Sequence, residues 1–597
     1  MNSVTKKNKL VSDYILDFLV SKGVKHVFIL QGGAIAFLVD AFSRRKDIKY
    51  ISVAHEQSAA MMADAYSRVG PNFGATMSTS GPGATNLITG ICCSWFDSIP
   101  VLHITGQVNT YEQRNSYKTL KQVRQIGFQE TEISKITESI TKFSKKINNP
   151  NNIKHDLHKS YAISQEGRQG PVLIDIPMNF QTLKINSLKL KNQNSDKKVQ
   201  SINKNYNAKI IKIINKFNSS LRPALIIGGG VRNSKSVKET NNLINLLKIP
   251  TVTTWTGLDC VDSKNKYLIG PIGVYGLRSA NFTIQNADFI ISIGARLDTR
   301  VTGGMPNTFA QKAYKVVIDI DEAELLKKRG LVINIPINSN AKNFTKKLLI
   351  NKNKFITNNV NKKNWLEKCK KWKISYPIVS QDYYKLKKYV NPYVFFNELS
   401  KKLSKKDIIV SDTGAHLTWF MQTFQVKLGQ RVLSAFGNSP MGYAFPASIG
   451  ASLASKSKNI YSINGEGSFQ INIQELQTLK YLNLPITVFV LNNKGYGIIK
   501  QFQTLYLNSR FEGTTKGYSS PNFEKITKAY GIKYFQIKNH DDIENKLDNV
   551  IKFNKPCLCE IMIKPDQKII PKLAFGNSID DLSPLLNREE HKLNMSN

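Results

Sequence analysis

Short, mostly apolar runs recur along this chain and alternate with stretches of helical periodicity. Runs at 51–54, 171–177, 223–227, 287–294, 315–319, 460–463 and 486–491 are too short for helices and carry no polar face. Strands of that kind are buried on both sides, as in parallel sheets covered by helices. Their alternation with helical stretches predicts an α/β chain of doubly wound parallel-sheet domains and argues against an antiparallel sandwich.

The 597 residues suffice for about three or four such domains. A hydrophobic content of 41% supports full cores rather than disorder. Three units are expected at 1–183, 206–350 and 386–565, followed by a tail at 566–597; units one and three are candidates for a shared architecture. The stretches between them, about 184–205 and 351–385, are rich in Lys and Asn and read as linkers. No run approaches the ~18–20 apolar residues that cross a bilayer. The N-terminal residues Met1 to Leu10 are polar with no apolar segment after them, so no secretory signal is expected and the cytoplasm is the expected location.

Lys plus Arg exceed Asp plus Glu, 84 against 43, a net charge of +41. A surplus of that size raises the question of a nucleic-acid partner. The lysines, however, sit among Asn residues in the connecting stretches, with no zinc-ligand spacing, RNA-binding aromatic signature or basic heptad array. A solvated basic surface, and no nucleic-acid partner, is the expectation. The six cysteines (Cys92, Cys93, Cys260, Cys369, Cys557 and Cys559) show no metal-ligand spacing; reduced core residues in a reducing compartment are expected.

Two motifs carry chemistry. Gly465-Glu466-Gly467-Ser468 follows one apolar run and precedes a helix expected at 473–482, and the next run ends at Asn492-Asn493. A strand-helix-strand unit places both at the carboxyl ends of neighbouring parallel strands, where ligands of such sheets bind. Glycines admit a phosphate close to the backbone, and a helix start favours its charge. A carboxylate, an amide oxygen and a main-chain carbonyl form the hard oxygen set that Mg²⁺ prefers. The second motif, Ala54-His55-Glu56-Gln57, ends a strand-like run in a carboxylate that opens a small-residue helix. Alone, Glu56 is a helix-start acid offsetting the dipole. Together the motifs read as the halves of a thiamine diphosphate site, in which a buried carboxyl tunes the aminopyrimidine and a metal-bearing turn holds the diphosphate.

The run from His55 to Arg68 resembles the thiamine-diphosphate-dependent acetolactate (acetohydroxyacid) synthase large subunit. So do Thr79-Ser80-Gly81-Pro82-Gly83-Ala84-Thr85-Asn86, Asp97-Ser98-Ile99-Pro100 and Thr105-Gly106-Gln107-Val108, in order along nearly the whole chain. The resemblance implies a first unit that binds the pyrimidine, a central flavin-binding unit and a third unit that binds the diphosphate. It implies Glu56 as the activating acid, Gln129 reaching the reacting centre, and Glu466, Asn493 and the Gly495 carbonyl on the metal. Gly33, Asn86, Ala415, His416, Met441, Gly465, Gly467 and Ser468 would contact thiamine diphosphate, with Met441 bending it. Arg168, Gly228, Gly229, Gly273, Arg296, Asp298 and Asp319 fall where that family holds FAD. Arg300 would bind the second substrate's carboxylate, which its planar fork suits, and Phe502 would shape the acceptor pocket. A homodimer or homotetramer is implied, because the first unit of one subunit meets the third of another, and a small regulatory subunit is a further candidate partner.

Several positions depart from that pattern. Glu466 replaces an Asp, Gln31 a Pro, Met178 a Lys and Phe502 a Trp, and the polar segment 109–127 is longer. Losing a cation and shrinking an aromatic side chain touch the acceptor half and leave the donor half alone. The expected function is therefore an acetolactate synthase-like carboligase, of the kind used in branched-chain amino acid biosynthesis, that decarboxylates pyruvate and passes the acetyl unit to a second 2-oxo acid. Transfer to a keto-sugar nucleotide or another bulky carbonyl is the first alternative, and a pyruvate oxidase with a redox-active flavin the second. A basic binding protein on an inactive scaffold is the third.

Overall fold

A computed structural model of the chain describes residues 8–70, 73–117, 119, 123–186, 205–327, 329–455 and 459–596. Three six-stranded sheets, all parallel, form its frame. In the first, the spatial order is Lys49–Ser52, His26–Leu30, Gly74–Ser78, Val101–Gln107, Val172–Pro177, Phe143–Lys146. In the third it is Arg431–Leu433, Ile408–Ser411, Ile460–Gly465, Ile486–Asn492, Cys557–Met562, Lys533–Ile537. Counted in chain order within each sheet, both run 2-1-3-4-6-5, so the two units share one topology. The central sheet runs 3-2-1-4-5-6, from Leu268–Pro271 through Thr251–Thr253, Pro223–Ile227, Phe289–Ile293 and Tyr314–Asp319 to Ile335–Asn338. That is the order of the dinucleotide-binding doubly wound fold.

In each sheet the direction of winding reverses beside the first strand, which opens a crevice at the strands' carboxyl ends. The crevice of the first sheet lies between His26–Leu30 and Gly74–Ser78, that of the third between Ile408–Ser411 and Ile460–Gly465, and that of the central sheet between Pro223–Ile227 and Phe289–Ile293. The turns at Gly32-Gly33, Gly81, Gly228-Gly229 and Gly465 each follow or end one of these strands.

Much of what was expected as the second linker is folded. Val360–Ser375 is a helix whose Trp365, Leu366, Cys369 and Trp372 are buried against the central unit. Residues 187–204 of the first linker lie outside the described residues, while Lys184–Asn186 pairs antiparallel with Asn8–Leu10. No helix among the described residues is long and apolar enough to cross a membrane.

The first and third units are joined in one hydrophobic cluster, in which Met61, Met62, Ala65 and Tyr66 meet Tyr443, Phe445, Ile449 and Ala451. Two helices make this contact, Glu56–Val69 and Ala444–Ala454. Small residues let them approach closely: a Cβ on Gly450 would lie 2.0 Å from the Met62 carbonyl oxygen, a backbone atom that cannot swing aside. Gly450→Ala is therefore expected to lower the apparent midpoint of thermal unfolding by several degrees, an overpacking cost of about 1–3 kcal/mol. Gly304→Ala, which meets nothing within 4 Å, is the control, and equal midpoints for the two variants would show that this helix contact does not limit stability.

Candidate active site

The third sheet's crevice is organised by Asp412, a buried acid just past the strand Ile408–Ser411. One carboxylate oxygen pairs with His416 Nε2 at 2.6 Å; the other accepts from the Ser468 hydroxyl at 2.6 Å and the Gly442 N–H at 3.1 Å. The helix Ala415–Thr423 thus begins beside the Gly465–Ser468 turn, with Met441, half-buried, next to the Gly442 that Asp412 holds. Two glycines flank the imidazole: a Cβ on Gly414 would lie 2.4 Å from the His416 ring, and one on Gly465 2.9 Å from it. Ala415 lies against Gly497, the first residue of the helix Gly497–Tyr506.

Glu466 opens the short helix Glu466–Phe469 and is buried. Its Oε1 accepts from the Gly495 N–H at 2.6 Å and the Tyr518 hydroxyl at 3.1 Å, and the Asn493 N–H approaches Oε2 at 3.4 Å. Burial pushes this carboxyl's pKa up, against the lowering effect of those donors. One end of the Asn493 side-chain amide lies 3.2 Å from Glu466 Oε2 and 2.9 Å from the Gly495 carbonyl oxygen. Turned one way, its nitrogen donates to both; turned the other way, three oxygens converge, a set that a divalent cation would hold. Gly467 gives the turn its clearance, since a Cβ there would lie 2.4 Å from the Tyr496 ring.

The segment after this turn differs from the regular helix expected at 473–482. Gln470–Glu475 is a 3₁₀ stretch kinked at Asn472, and the α-helix runs over Leu476–Leu482. The kink has a reason: the Asn472 amide donates to the Gly442 carbonyl at 2.8 Å while its oxygen accepts from the Ser58 hydroxyl at 3.2 Å. Glu475, also buried, accepts from the Ala54 N–H at 3.0 Å and from Thr478 at 2.7 Å.

The first sheet's crevice holds the other half. His55 caps the helix Glu56–Val69 by accepting from the Gln57 N–H. Glu56 is buried, accepts from the Asn86 amide at 3.0 Å, and sits so close to Gly83 that a Cβ there would be 3.2 Å from its Oε1. Gly32 packs on Thr79, whose hydroxyl accepts from the Ala34 N–H, and Gly33 stands open with nothing within 4 Å of a Cβ. Gln129 has a left-handed backbone (φ 64°) and lies against Gly81. Glu56, Asn86, Gln129 and Gly33 thus gather around the two turns of one crevice.

The central crevice opens into a cavity of about 1200 Å³ between the units. Arg168, Gly229, Arg296, Asp298, Asp319 and Arg300 line it. Arg168 spans from Ser98 to Asp321, at 2.9 Å each, and to Glu324 at 3.1 Å. Burial raises the Asp319 carboxyl pKa. Gly228 touches Gly294, a Cβ there lying 2.2 Å from the Gly294 oxygen, and Gly273, at φ 113°, passes the Arg300 carbonyl. The Arg300 guanidinium stacks 4.9 Å above Trp255. Phe502, on Gly497–Tyr506, stands away from this cavity among Tyr506 and Phe575, and Met178 opens Met178–Gln181. All six cysteines are free thiols, five of them buried.

Sequence reasoning missed Asp412, Asn472, Glu475 and Tyr518. Asp412 carried a weak signal, an acid directly after an apolar run and before Thr413-Gly414; the other three gave none that a single sequence reveals.

Two crevices of identical topology, one presenting a buried acid and the other an oxygen-rich turn, define the bipartite site of a thiamine pyrophosphate enzyme. Family models agree: the N-terminal TPP binding domain matches residues 9–135, the central domain of such enzymes 210–348, and the C-terminal TPP binding domain 412–561. Among curated relatives, the chain is 34% identical to the acetolactate synthase large subunit of Cyanidium caldarium, over 96% of this chain and 97% of that one. It is 34% identical to the probable acetolactate synthase large subunit of Methanocaldococcus jannaschii, over 96% and 94%. With the isozyme 2 large subunit of Escherichia coli the figures are 29% identity over 96% and 98%. The chain belongs to the acetolactate synthase large-subunit family.

If Asp412 organises the diphosphate crevice, Asp412→Asn should fold but bind thiamine diphosphate at least about tenfold more weakly, because a charge-assisted bond to Ser468 or His416 contributes roughly 1.5–3 kcal/mol. Calorimetric titration in Mg²⁺ checks this, and unchanged affinity would remove Asp412 from the site.

Proposed function

We propose that the enzyme decarboxylates pyruvate and transfers the acetyl unit to a second 2-oxo acid, forming acetolactate when that acid is pyruvate. The observation that carries the reading is the presence of both half-sites, a buried Glu56 held by Asn86 and the Glu466–Asn493–Gly495 oxygen set. Thiamine diphosphate, when bound, supplies the acidic thiazolium carbon and the electron sink that decarboxylation needs. Glu56 shares a proton with the aminopyrimidine ring nitrogen, a role suited to a carboxyl shielded from water. Glu466, Asn493 and the Gly495 carbonyl would hold Mg²⁺, Gly465, Gly467 and Ser468 would admit the phosphates, and His416 and Ala415 would flank them. Met441, Gly33 and Asn86 would contact the rest of the cofactor. Gln129 reaches the reacting atoms, Arg300 orients the acceptor's carboxylate, and Phe502, outside the cavity that Arg300 lines, shapes the approach of the acceptor's other end.

A homodimer or homotetramer belongs to the same proposal. Within one chain, the turn before Glu56 meets the third unit at Glu475, nine residues beyond Glu466, and in this reading Glu56 and the metal turn of one chain serve different cofactors, with a second copy supplying the missing half. The arginine-lined cavity suits the pyrophosphate of FAD, with Arg168 and Arg296 toward the anion, Gly228, Gly229 and Gly273 giving backbone clearance, and Asp298 and Asp319 accepting from hydroxyls. The flavin's role is structural, since carboligation involves no net redox change. A small regulatory subunit is a further partner, because the relatives are large subunits by name. The free thiols fit a cytoplasmic, reducing location.

Purified protein given pyruvate, thiamine diphosphate, Mg²⁺ and FAD should yield acetolactate. Release of CO₂ without it would refute carboligation to pyruvate, and oxygen uptake tied to pyruvate would identify an oxidase instead. Glu56→Gln is expected to lower kcat by about 10²–10⁴-fold, the usual worth of a positioned acid–base group, with thiamine diphosphate affinity changed by no more than about tenfold. Turnover near that of the parent enzyme would overturn the role assigned to Glu56.

A further inference from the structure

Three aromatic rings make an exposed ledge at the end of the helix Gly497–Tyr506. Phe502 and Tyr506 lie 5.0 Å apart, and Phe575, from the tail, lies tilted 4.9 Å from Tyr506 and edge-on 5.8 Å from Phe502. The Phe575 N–H also donates to the Tyr506 hydroxyl at 3.0 Å. Phe575 is nonetheless 73% exposed and Tyr506 38%. Two of the three rings are thus tied together by backbone as well as by ring contact, while their faces remain open to a ligand.

The tail that brings Phe575 there is bound on both sides. Toward the third unit, Gln501 exchanges two hydrogen bonds with Ile569, at 3.0 and 2.8 Å, and Lys500 donates to the Pro565 carbonyl at 3.3 Å. Toward the central unit, the Leu573 N–H donates to Val274 at 2.8 Å, and the Val274 N–H donates to the Arg300 carbonyl at 2.9 Å. Gly303 packs between Leu573 and Ile579, and the Asn281 amide binds Gly273 at both its N–H and its carbonyl as well as the Ile579 carbonyl at 2.7 Å. Two residues apart on one strap, Leu573 touches the turn that carries Arg300 and Phe575 touches the helix that carries Phe502.

We infer that residues 565–582 are a positioning strap that sets the Arg300 turn against the Phe502 helix, and that Phe575 is a specificity-determining residue that contacts the side chain of the acceptor 2-oxo acid. The inference rests on the carboligase reading above. A cation for the acceptor's carboxylate and an apolar wall for its alkyl group are joined by a single segment, and the wall's outermost ring belongs to that segment. An acceptor with one more methylene covers more of that ring, whereas the donor chemistry at Glu56 and the metal turn does not involve it.

The test is competition between pyruvate and 2-oxobutyrate as acceptors, with the two carboligation products quantified from one reaction. Phe575→Ala should lower the share of the 2-oxobutyrate product by about fourfold, what one methylene moved from water onto an apolar surface contributes. Phe575→Trp should keep or raise it, and because both products come from one reaction their ratio reports acceptor discrimination whatever happens to total turnover. An unchanged product ratio in Phe575→Ala, or a proportional loss of CO₂ release and of both products, would overturn the specificity role. Parent enzyme that forms neither product would instead overturn the carboligase reading, and this inference with it.

Discussion

The guanidinium of Arg68 sits between Asp64, at 2.6 Å, and Asp97, at 2.9 Å, with all three side chains almost excluded from solvent. The third unit completes this cluster: the Ser434 carbonyl accepts from Arg68, the N–H groups of Phe436 and Gly437 donate to Asp97 at 2.8 Å, and the Tyr443 hydroxyl donates to Asp64. A buried ion pair adds little over an apolar contact of the same volume, but stripping one partner costs about 3–5 kcal/mol because a charge is left without compensation. Its effect is therefore on register. Sliding Glu56–Val69 along Ala444–Ala454 by one turn would orphan several of these groups at once. Because Glu56 begins the first helix and Met441 precedes the second by a few residues, one directional cluster fixes both halves of the site to a common reference.

Such a reference matters because the two outer units are the same fold used twice. With strand order 2-1-3-4-6-5 in each, both carry a crevice at the same place, and each crevice is lined by a different chemistry. One presents an acid at a helix start, the other an oxygen set at a glycine turn. Their shared helix contact ties the two crevices of a chain together through the Asn472 and Glu475 bridges. The bipartite motif and the close helix approach thus belong to one geometry.

The parts of this arrangement legible in the sequence are those set by local backbone rules. Continuous apolar runs announce buried parallel strands, and a glycine after such a run marks a switch-point turn; the three sheets and their glycine turns were readable on that basis. The lysine-rich stretch 360–375 hid its helix, because Trp365, Leu366, Cys369 and Trp372 form a helical seam inside a sequence that otherwise reads as solvated. The kink at Asn472 depends on partners at Ser58 and Gly442, and the role of Asp412 on Ser468 and His416. Arg68 needs residues from four separate segments. Contacts of that kind are decided by how whole units dock, which no local periodicity records.

The basic surplus acquires a physical meaning from the same docking. The central cavity collects Lys22, Arg168, Arg232, Arg296, Arg300 and Arg431 on its walls, while Asp97 and Asp259 are already engaged by Arg68 and by Arg232 and Arg431. Cations outnumber the carboxylates that share these walls, Asp298 and Asp319 among them, and a surplus of one sign between low-dielectric walls focuses its field and concentrates anions. Diphosphates and 2-oxo acids are all anions, so the field acts on cofactor and substrate alike without distinguishing them. Discrimination must then come from shape and apolar contact. In the proposed reaction, that places the choice of acceptor on Phe502 and on the strap beside it, rather than on the charge.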